Sequence, residues 1–212
     1  MNNINSKTLF DCKSTSSTQQ PVVLEERELK AVAVDIYSRL LMDRIIVVGS
    51  EITQSTANTI MAQLIYLNSV DNKTPIQMFI NSPGGDVVSG LQIYDTMQMI
   101  KAPVQTICTG MAASMAAVLL AGGNKGMRGA MPNSTIMIHQ PIGGAFGQAS
   151  DIAIANERIQ FYKNKLYAIL AEITGKTVKQ IQKDCDRDHW LSADEAKEYG
   201  LIDKKFDGKN IL

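Results

Sequence analysis

Val104-Gln105-Thr106-Ile107-Cys108-Thr109-Gly110-Met111-Ala112-Ala113-Ser114-Met115-Ala116-Ala117 is the stretch on which the fold of this chain turns. Its first five residues form an apolar, strand-like run. From Ala112 to Ala121 the sequence is rich in alanine and reads as a buried helix. Ser114 therefore falls where a strand hands over to a helix. Small neighbours leave room around its hydroxyl, and N–H groups in the first turn of a helix have no intrahelical partner. Such a place suits a nucleophile, because free N–H groups can hold a developing oxyanion. In isolation the same residues describe a small serine packed at a helix start, so the remainder of the chain has to decide.

Upstream, the same handover recurs. Ile45-Ile46-Val47-Val48 is a buried strand closed by Gly49. Thr53 or Ser55 caps a helix that runs to about Asn68, with Ile60, Met61, Leu64, Ile65 and Leu67 at helical spacing. Ile76-Gln77-Met78-Phe79-Ile80 is a second strand, leading through Asn81-Ser82-Pro83-Gly84-Gly85-Asp86 into another helix. Val87, Val88, Leu91, Tyr94, Met97 and Ile100 mark the buried face expected of that helix, and Pro103 blocks its continuation. Downstream, Gly122-Gly123-Asn124 ends the Ser114 helix, and Thr135-Ile136-Met137-Ile138-His139 is the fourth strand. Strand then helix, three times at intervals of about 30 residues, is the mark of an α/β fold built from right-handed βαβ crossovers.

The flanks complete the organisation. Met1 to about Gln20 is polar, without an apolar period, and reads as a flexible leader or removable pro-segment ahead of one domain covering 21–212. A short helical turn is expected over Asp35-Ile36-Tyr37-Ser38-Arg39-Leu40-Leu41. The longest helix runs from Asp151 to about Thr174, roughly 36 Å. Its seam is Ile152, Ala155, Ile159, Tyr162, Leu166, Ile169 and Ile173, with Ile154, Phe161 and Leu170 on a second apolar face. That is longer than the domain's own core needs, and it reads either as a helix lying across the body or as an arm packing on a neighbouring subunit through residues such as Leu166. A short helix from Val178 to about Cys185 follows, then the charged Asp186-Arg187-Asp188-His189-Trp190 and a capping box, Ser192-Ala193-Asp194-Glu195, for a last helix to Tyr199.

Composition narrows the chemistry. The 212 residues carry 21 Lys and Arg against 21 Asp and Glu, which gives no electrostatic pull toward nucleic acid or an anionic membrane. Cys12, Cys108 and Cys185 are few, odd in number and far apart, as expected in a reducing compartment and not in a disulfide framework or zinc site. A serine nucleophile needs a base, and the chain has two histidines. His139 ends a strand, where α/β folds gather their sites. His189 lies in a charged segment and is expected to be solvated. A buried carboxylate should orient the imidazole, and Asp86, Asp151, Asp186 and Asp188 are all placed for it, with nothing in their spacing to choose among them. The Gly84-Gly85 pair and Met115 can each offer a backbone N–H group.

Several motifs in order carry a resemblance. They are Ile80-Asn81-Ser82-Pro83-Gly84-Gly85, Ile93-Tyr94-Asp95-Thr96-Met97, Gly110-Met111-Ala112-Ala113-Ser114-Met115, Met137-Ile138-His139-Gln140-Pro141, Gly147-Gln148-Ala149-Ser150-Asp151-Ile152 and Leu191-Ser192-Ala193-Asp194-Glu195-Ala196. Together with Asp35 to Leu41 they make residues 21 to about 205 resemble the ClpP peptidase family, the proteolytic subunits of Clp proteases. The resemblance implies the ClpP/crotonase-like fold of repeated strand–helix units, with the long helix as a protruding handle. It implies Ser114 as nucleophile, His139 as base, Asp188 as the catalytic aspartate, and the Gly85 and Met115 N–H groups as the oxyanion hole. It further implies a cytoplasmic serine endopeptidase, two stacked seven-membered rings, unfolded polypeptide substrates and a partner AAA+ unfoldase ATPase of the ClpX, ClpA or ClpC type. The segment at 143–147 would bind peptide by strand addition. No metal or organic cofactor is implied. Glu25 to Ala33 departs from the family's usual axial loop, Gln77 replaces a common aromatic of the partner-docking pocket, and Trp190 replaces a usual Phe. Two other readings fit parts of the pattern: a crotonase-like enzyme acting on coenzyme A thioesters, and a non-catalytic ring subunit.

Overall fold

A computed structural model describes residues 22–27 and 30–206, with side chains from residue 33 onward. The expected leader before residue 21 lies outside the described residues. The amino-terminal unit contains a hairpin that the charged run from Glu25 to Lys30 conceals in the sequence. Strand β1 (Val22–Arg27) pairs antiparallel with β2 (Lys30–Asp35), from Val22 opposite Asp35 to Arg27 opposite Lys30. Helix α1 (Ile36–Met42) follows, its first turn held by the Ser38 N–H donating to the Asp35 carboxylate at 3.0 Å.

The second unit, from Leu40 onward, is organised by a mostly parallel sheet. Its elements alternate: β3 (Ile45–Val48), α2 (Gln54–Val70), β4 (Ile76–Ser82), α3 (Val87–Met99), β5 (Val104–Ala113), α4 (Met115–Ala121) and β6 (Arg128–Ala130). Strands β3, β4, β5 and β6 lie side by side in chain order, each parallel to the next, with β9 (Lys204–Lys205) beyond β6. Thr53 caps α2 in a reciprocal box with Thr56, so the expected cap residue is the one used. Met78 and Ile80 of β4, Ile107 and Cys108 of β5, and all of α4 are buried, which makes α4 the centre of the core.

Strand β5 departs from expectation. The Ala112 helix does not begin at Ala112; the strand continues through Ala113 and the helix opens at Met115. The cause is a change of partner. Thr106–Cys108 pair with β6, whereas Met111–Ala113 pair with β7 (Thr135–Ile138). At the break, the Gly110 N–H donates to Ser134 Oγ at 3.1 Å and the Met111 N–H to Asn81 Oδ1 at 3.2 Å, so side chains take up two donors of the interrupted ladder. The face of α3 also differs. Val88 is exposed, while Gly90, Ile93 and Thr96 face inward, because Gly90 lies against the Met115 side chain.

Helix α5 (Ala149–Thr174) spans 26 residues and divides along its length. Ile152, Ile154 and Phe161 are exposed, whereas Leu166, Tyr167 and Leu170 join the core. Leu166 is thus part of this chain's own interior, and an arm would have to begin before it. Gly175 ends α5 in a left-handed turn, and α6 (Val178–Asp184) follows under a Thr177 cap. The segment expected as a charged linker then enters β8 (His189–Ser192), antiparallel to β7. His189 is therefore a half-buried strand residue opposite Ile138, its ring edge-on to Tyr199 at 5.7 Å, and not a freely solvated one. Ser192 and Glu195 form the expected capping box of α7 (Ala193–Tyr199).

Candidate active site

Ser114 occupies the single residue between β5 and α4. Its backbone has φ 55° and ψ −122°, an unusual conformation for a residue with a side chain. Such a conformation costs on the order of 1–3 kcal/mol and persists only where the surroundings impose it. Here they do. The Ser114 N–H donates to the Met137 carbonyl of β7 at 2.8 Å, and α4 begins at once in the buried core. The sharp strand-to-helix turn lifts the hydroxyl clear of both elements.

The Gly84-Gly85 turn lies directly against this elbow. A Cβ on Gly84, whose φ is +92°, would meet the Ala113 carbonyl at 2.6 Å, Ser114 Cβ at 2.8 Å and the Met115 N at 2.9 Å. A Cβ on Gly85 would strike the Ile52 carbonyl at 2.3 Å. Glycine at both places is therefore a condition of the two turns meeting. Ile52 accepts from the Asp86 N–H and donates to the Gly84 carbonyl, both at 2.8 Å, which turns the intervening Gly85 N–H to the opposite side. Among the described residues, neither that N–H nor the one on Met115 is given to a protein acceptor.

His139 follows the last residue of β7, and its side chain is 12% exposed. Its Nε2 is 2.8 Å from Ser114 Oγ and its Nδ1 is 2.9 Å from Asp188 Oδ1. The four candidate aspartates thereby separate. Asp86 caps α3, where the hydroxyl and N–H of Ser89 hold its carboxyl below the usual range. Asp151 stands exposed in the first turn of α5, and the Asp186 side chain is exposed while its carbonyl accepts from Gln140. Asp188 alone among the four bonds to His139. It differs from expectation in one respect: its side chain is 56% exposed in the single chain, not buried. An apolar cleft walled by Val87, Val118, Leu166 and Leu170 opens beside Ser114 and His139.

Two residues escaped the reading of the sequence. Gln140 and Lys163 bond to each other at 2.9 Å, and Gln140 also bonds to the segment that precedes Asp188. The only signal for Gln140 was its place next to His139. Among the described residues there is no cluster of His, Cys, Asp and Glu suited to a metal, and no helix long and apolar enough to cross a membrane. Cys108 and Cys185 are buried and unpaired, and burial pushes the Cys185 thiol up to about 12.

A chain with this hydrogen-bonded serine, histidine and aspartate on this fold can be compared with known proteins. Residues 27–208 match the family model of the Clp protease. An ATP-dependent Clp protease proteolytic subunit of Bacteroides fragilis is 56% identical over 192 residues, 91% of this chain and 93% of that protein. The subunit of the same description from Bacteroides thetaiotaomicron is 55% identical, covering 91% of this chain and 87% of its own length. That from Porphyromonas gingivalis is 53% identical over 202 residues, 95% of this chain and 91% of its own. Identity of this order, sustained across nearly the whole length on both sides and joined to a family match that spans every element from α1 to β9, shows that the chain belongs to the Clp protease family.

Proposed function

We propose that this Clp-type serine peptidase subunit hydrolyses peptide bonds with Ser114 as nucleophile, His139 as general base and Asp188 as the group that orients the imidazole. The observation that carries the reading is the continuous chain of hydrogen bonds, Ser114 Oγ to His139 Nε2 at 2.8 Å and His139 Nδ1 to Asp188 Oδ1 at 2.9 Å. As Ser114 Oγ attacks the scissile carbonyl, its proton passes to Nε2. The Gly85 and Met115 N–H groups receive the oxyanion. The imidazolium then protonates the departing amine, leaving an ester on Ser114. A water gives its proton to Nε2, attacks the ester and releases the acid, and the proton returns to Ser114.

The assembly belongs to the same reading. The exposed apolar residues of the first half of α5, Ile152, Ile154 and Phe161, support its role as a handle joining two seven-membered rings into a closed chamber. Entry of unfolded polypeptide would then depend on an AAA+ unfoldase partner; the relatives are ATP-dependent by name, and an ATPase partner would supply that dependence here. The first 20 residues are read as a leader or pro-segment ahead of a single peptidase domain, and the unpaired cysteines favour a cytoplasmic setting.

A fluorophosphonate probe tests the chemistry. It should label the purified protein at Ser114, located by peptide mass mapping, and block cleavage of a fluorogenic peptide. A protein that cleaves peptide but labels elsewhere would overturn the assignment. One that neither labels nor cleaves, yet acts on coenzyme A thioesters, would favour a crotonase-like activity.

A further inference from the structure

We propose that Gln140, buttressed by Lys163 of α5, is a positioning residue that holds Asp188 in register with His139. This rests on the reading of Ser114, His139 and Asp188 as the catalytic set. Asp188 needs such support. It stands in the short connection between α6 and β8, its side chain is more than half exposed, and among the described residues its carboxylate bonds to His139 alone. A single hydrogen bond on an exposed loop does not fix an imidazole partner to the tolerance that proton transfer requires.

The geometry supplies that support from both sides. On one side, β8 pairs with β7, so His189, just after Asp188, lies opposite Ile138, just before His139. On the other side, everything runs through Gln140. Its backbone N–H donates to the Cys185 carbonyl at 2.7 Å, and its side-chain Nε2 donates to the Asp186 carbonyl at 2.7 Å. Residues on each side of Asp188 are thus tied to residues on each side of His139, and the pair is bracketed. The side-chain amide has one further atom, Oε1, which accepts from Lys163 Nζ at 2.9 Å. That bond fixes the amide's orientation, because it keeps the oxygen toward Lys163 and the NH₂ toward Asp186. Lys163 is itself held over the Tyr167 ring at 5.8 Å, and Tyr167 is buried in the core half of α5. The long helix is therefore connected by two side chains to the Asp186 carbonyl, two residues before Asp188, and a shift of α5 would reach the carboxylate through that segment.

The test compares Gln140→Leu, Gln140→Glu and Lys163→Met with wild type and Ser114→Ala on one short peptide, after circular dichroism and sedimentation show an unchanged fold and size. Gln140→Glu can still meet Lys163 but cannot donate to Asp186. Both Gln140 variants should lower kcat about 10- to 100-fold. KM should stay within about twofold, because the cleft is untouched. The rate of fluorophosphonate labelling at Ser114 should fall in parallel. Lys163→Met should lower kcat by a smaller factor, about 3- to 10-fold, since the Asp186 bond survives with a looser amide. Normal kcat in a folded Gln140→Glu protein, or a loss confined to KM, overturns the proposal. Should the Gln140 variants fail to fold, Lys163→Met decides, and an unchanged kcat there overturns it. Ser114→Ala keeps the two readings apart: if it remains active the catalytic set itself is wrong, whereas its inactivity beside fully active Gln140 variants removes only the positioning role.

Discussion

The two ends of the hydrogen-bonded chain at the site are built in opposite ways. Ser114 is clamped between the parallel sheet and the buried helix α4, with the Gly84-Gly85 turn in van der Waals contact behind it. Asp188 rides on an exposed connection and owes its place to β8 pairing and to Gln140. Ser114 is thus fixed by the core of the fold, and Asp188 by a few polar bonds near the surface and near α5. The difference teaches that the position of Ser114 should shift only with changes that damage the fold, while that of Asp188 can be loosened without unfolding the protein.

The largest effect should come from the clamped end. Ser114→Ala is expected to lower peptide hydrolysis by on the order of 10⁴–10⁶-fold, and Asp188→Ala by roughly one to two orders of magnitude less, since an orienting carboxylate is worth less than the nucleophile. Equal losses in steady-state assays would erase the contrast between the two ends. Next is Gly84→Ala. Its Cβ would push on the Ala113 carbonyl and the Met115 N, so kcat should fall by about 10²–10³-fold, the scale of a lost oxyanion donor. The melting temperature should fall with it, because the elbow belongs to the core. Unchanged stability would show that the turn can relax independently.

The loosely held end invites a gentler perturbation. Phe161→Glu changes an exposed position on the outer half of α5, 54% accessible in the single chain. A charge there should split the proposed double ring, seen by analytical ultracentrifugation, and lower peptidase activity about tenfold with Ser114 untouched. Leu166→Glu would not make this test, because Leu166 is core and its substitution would unfold the chain. Full assembly and activity of Phe161→Glu would remove the handle role.

The smallest effect on activity should come far from either end. Arg128 donates through Nε and Nη2 to the Asp203 carboxylate at 2.9 and 2.6 Å, tying β6 to the segment before β9. Burial pushes the Asp203 carboxyl up, but the hydrogen bonds and charge of Arg128 outweigh it and leave the group below its usual range. A carboxyl lowered in the folded state adds stability above its unfolded pKa of about 3.9, and that stability is lost as the pH falls through the lowered folded value. Arg128→Met should cost about 3 kcal/mol near neutral pH, read from urea midpoints, and the gap from wild type should narrow below about pH 4. A gap independent of pH would assign the loss to packing.

The sequence alone determined the alternation of strands and helices, the caps Thr53 and Ser192, the long helix and the position of Ser114 at a handover, because each depends on neighbours within one turn or one strand. Tertiary structure decided where β5 ends, since its last three residues pair with β7, and Ala112 with Ser82 of β4 as well. It placed His189 in a strand, because the hydrophobic pattern of Asp186 to Trp190 is too short and too charged to declare one. It divided α5 into a core half and an exposed half, although its apolar period is nearly uniform, because the core it packs against reaches only the second half. It also brought one of four aspartates to His139. Asp188 lies 49 residues along the chain from His139, and no local rule reaches across that distance; antiparallel pairing of β7 with β8 closes it.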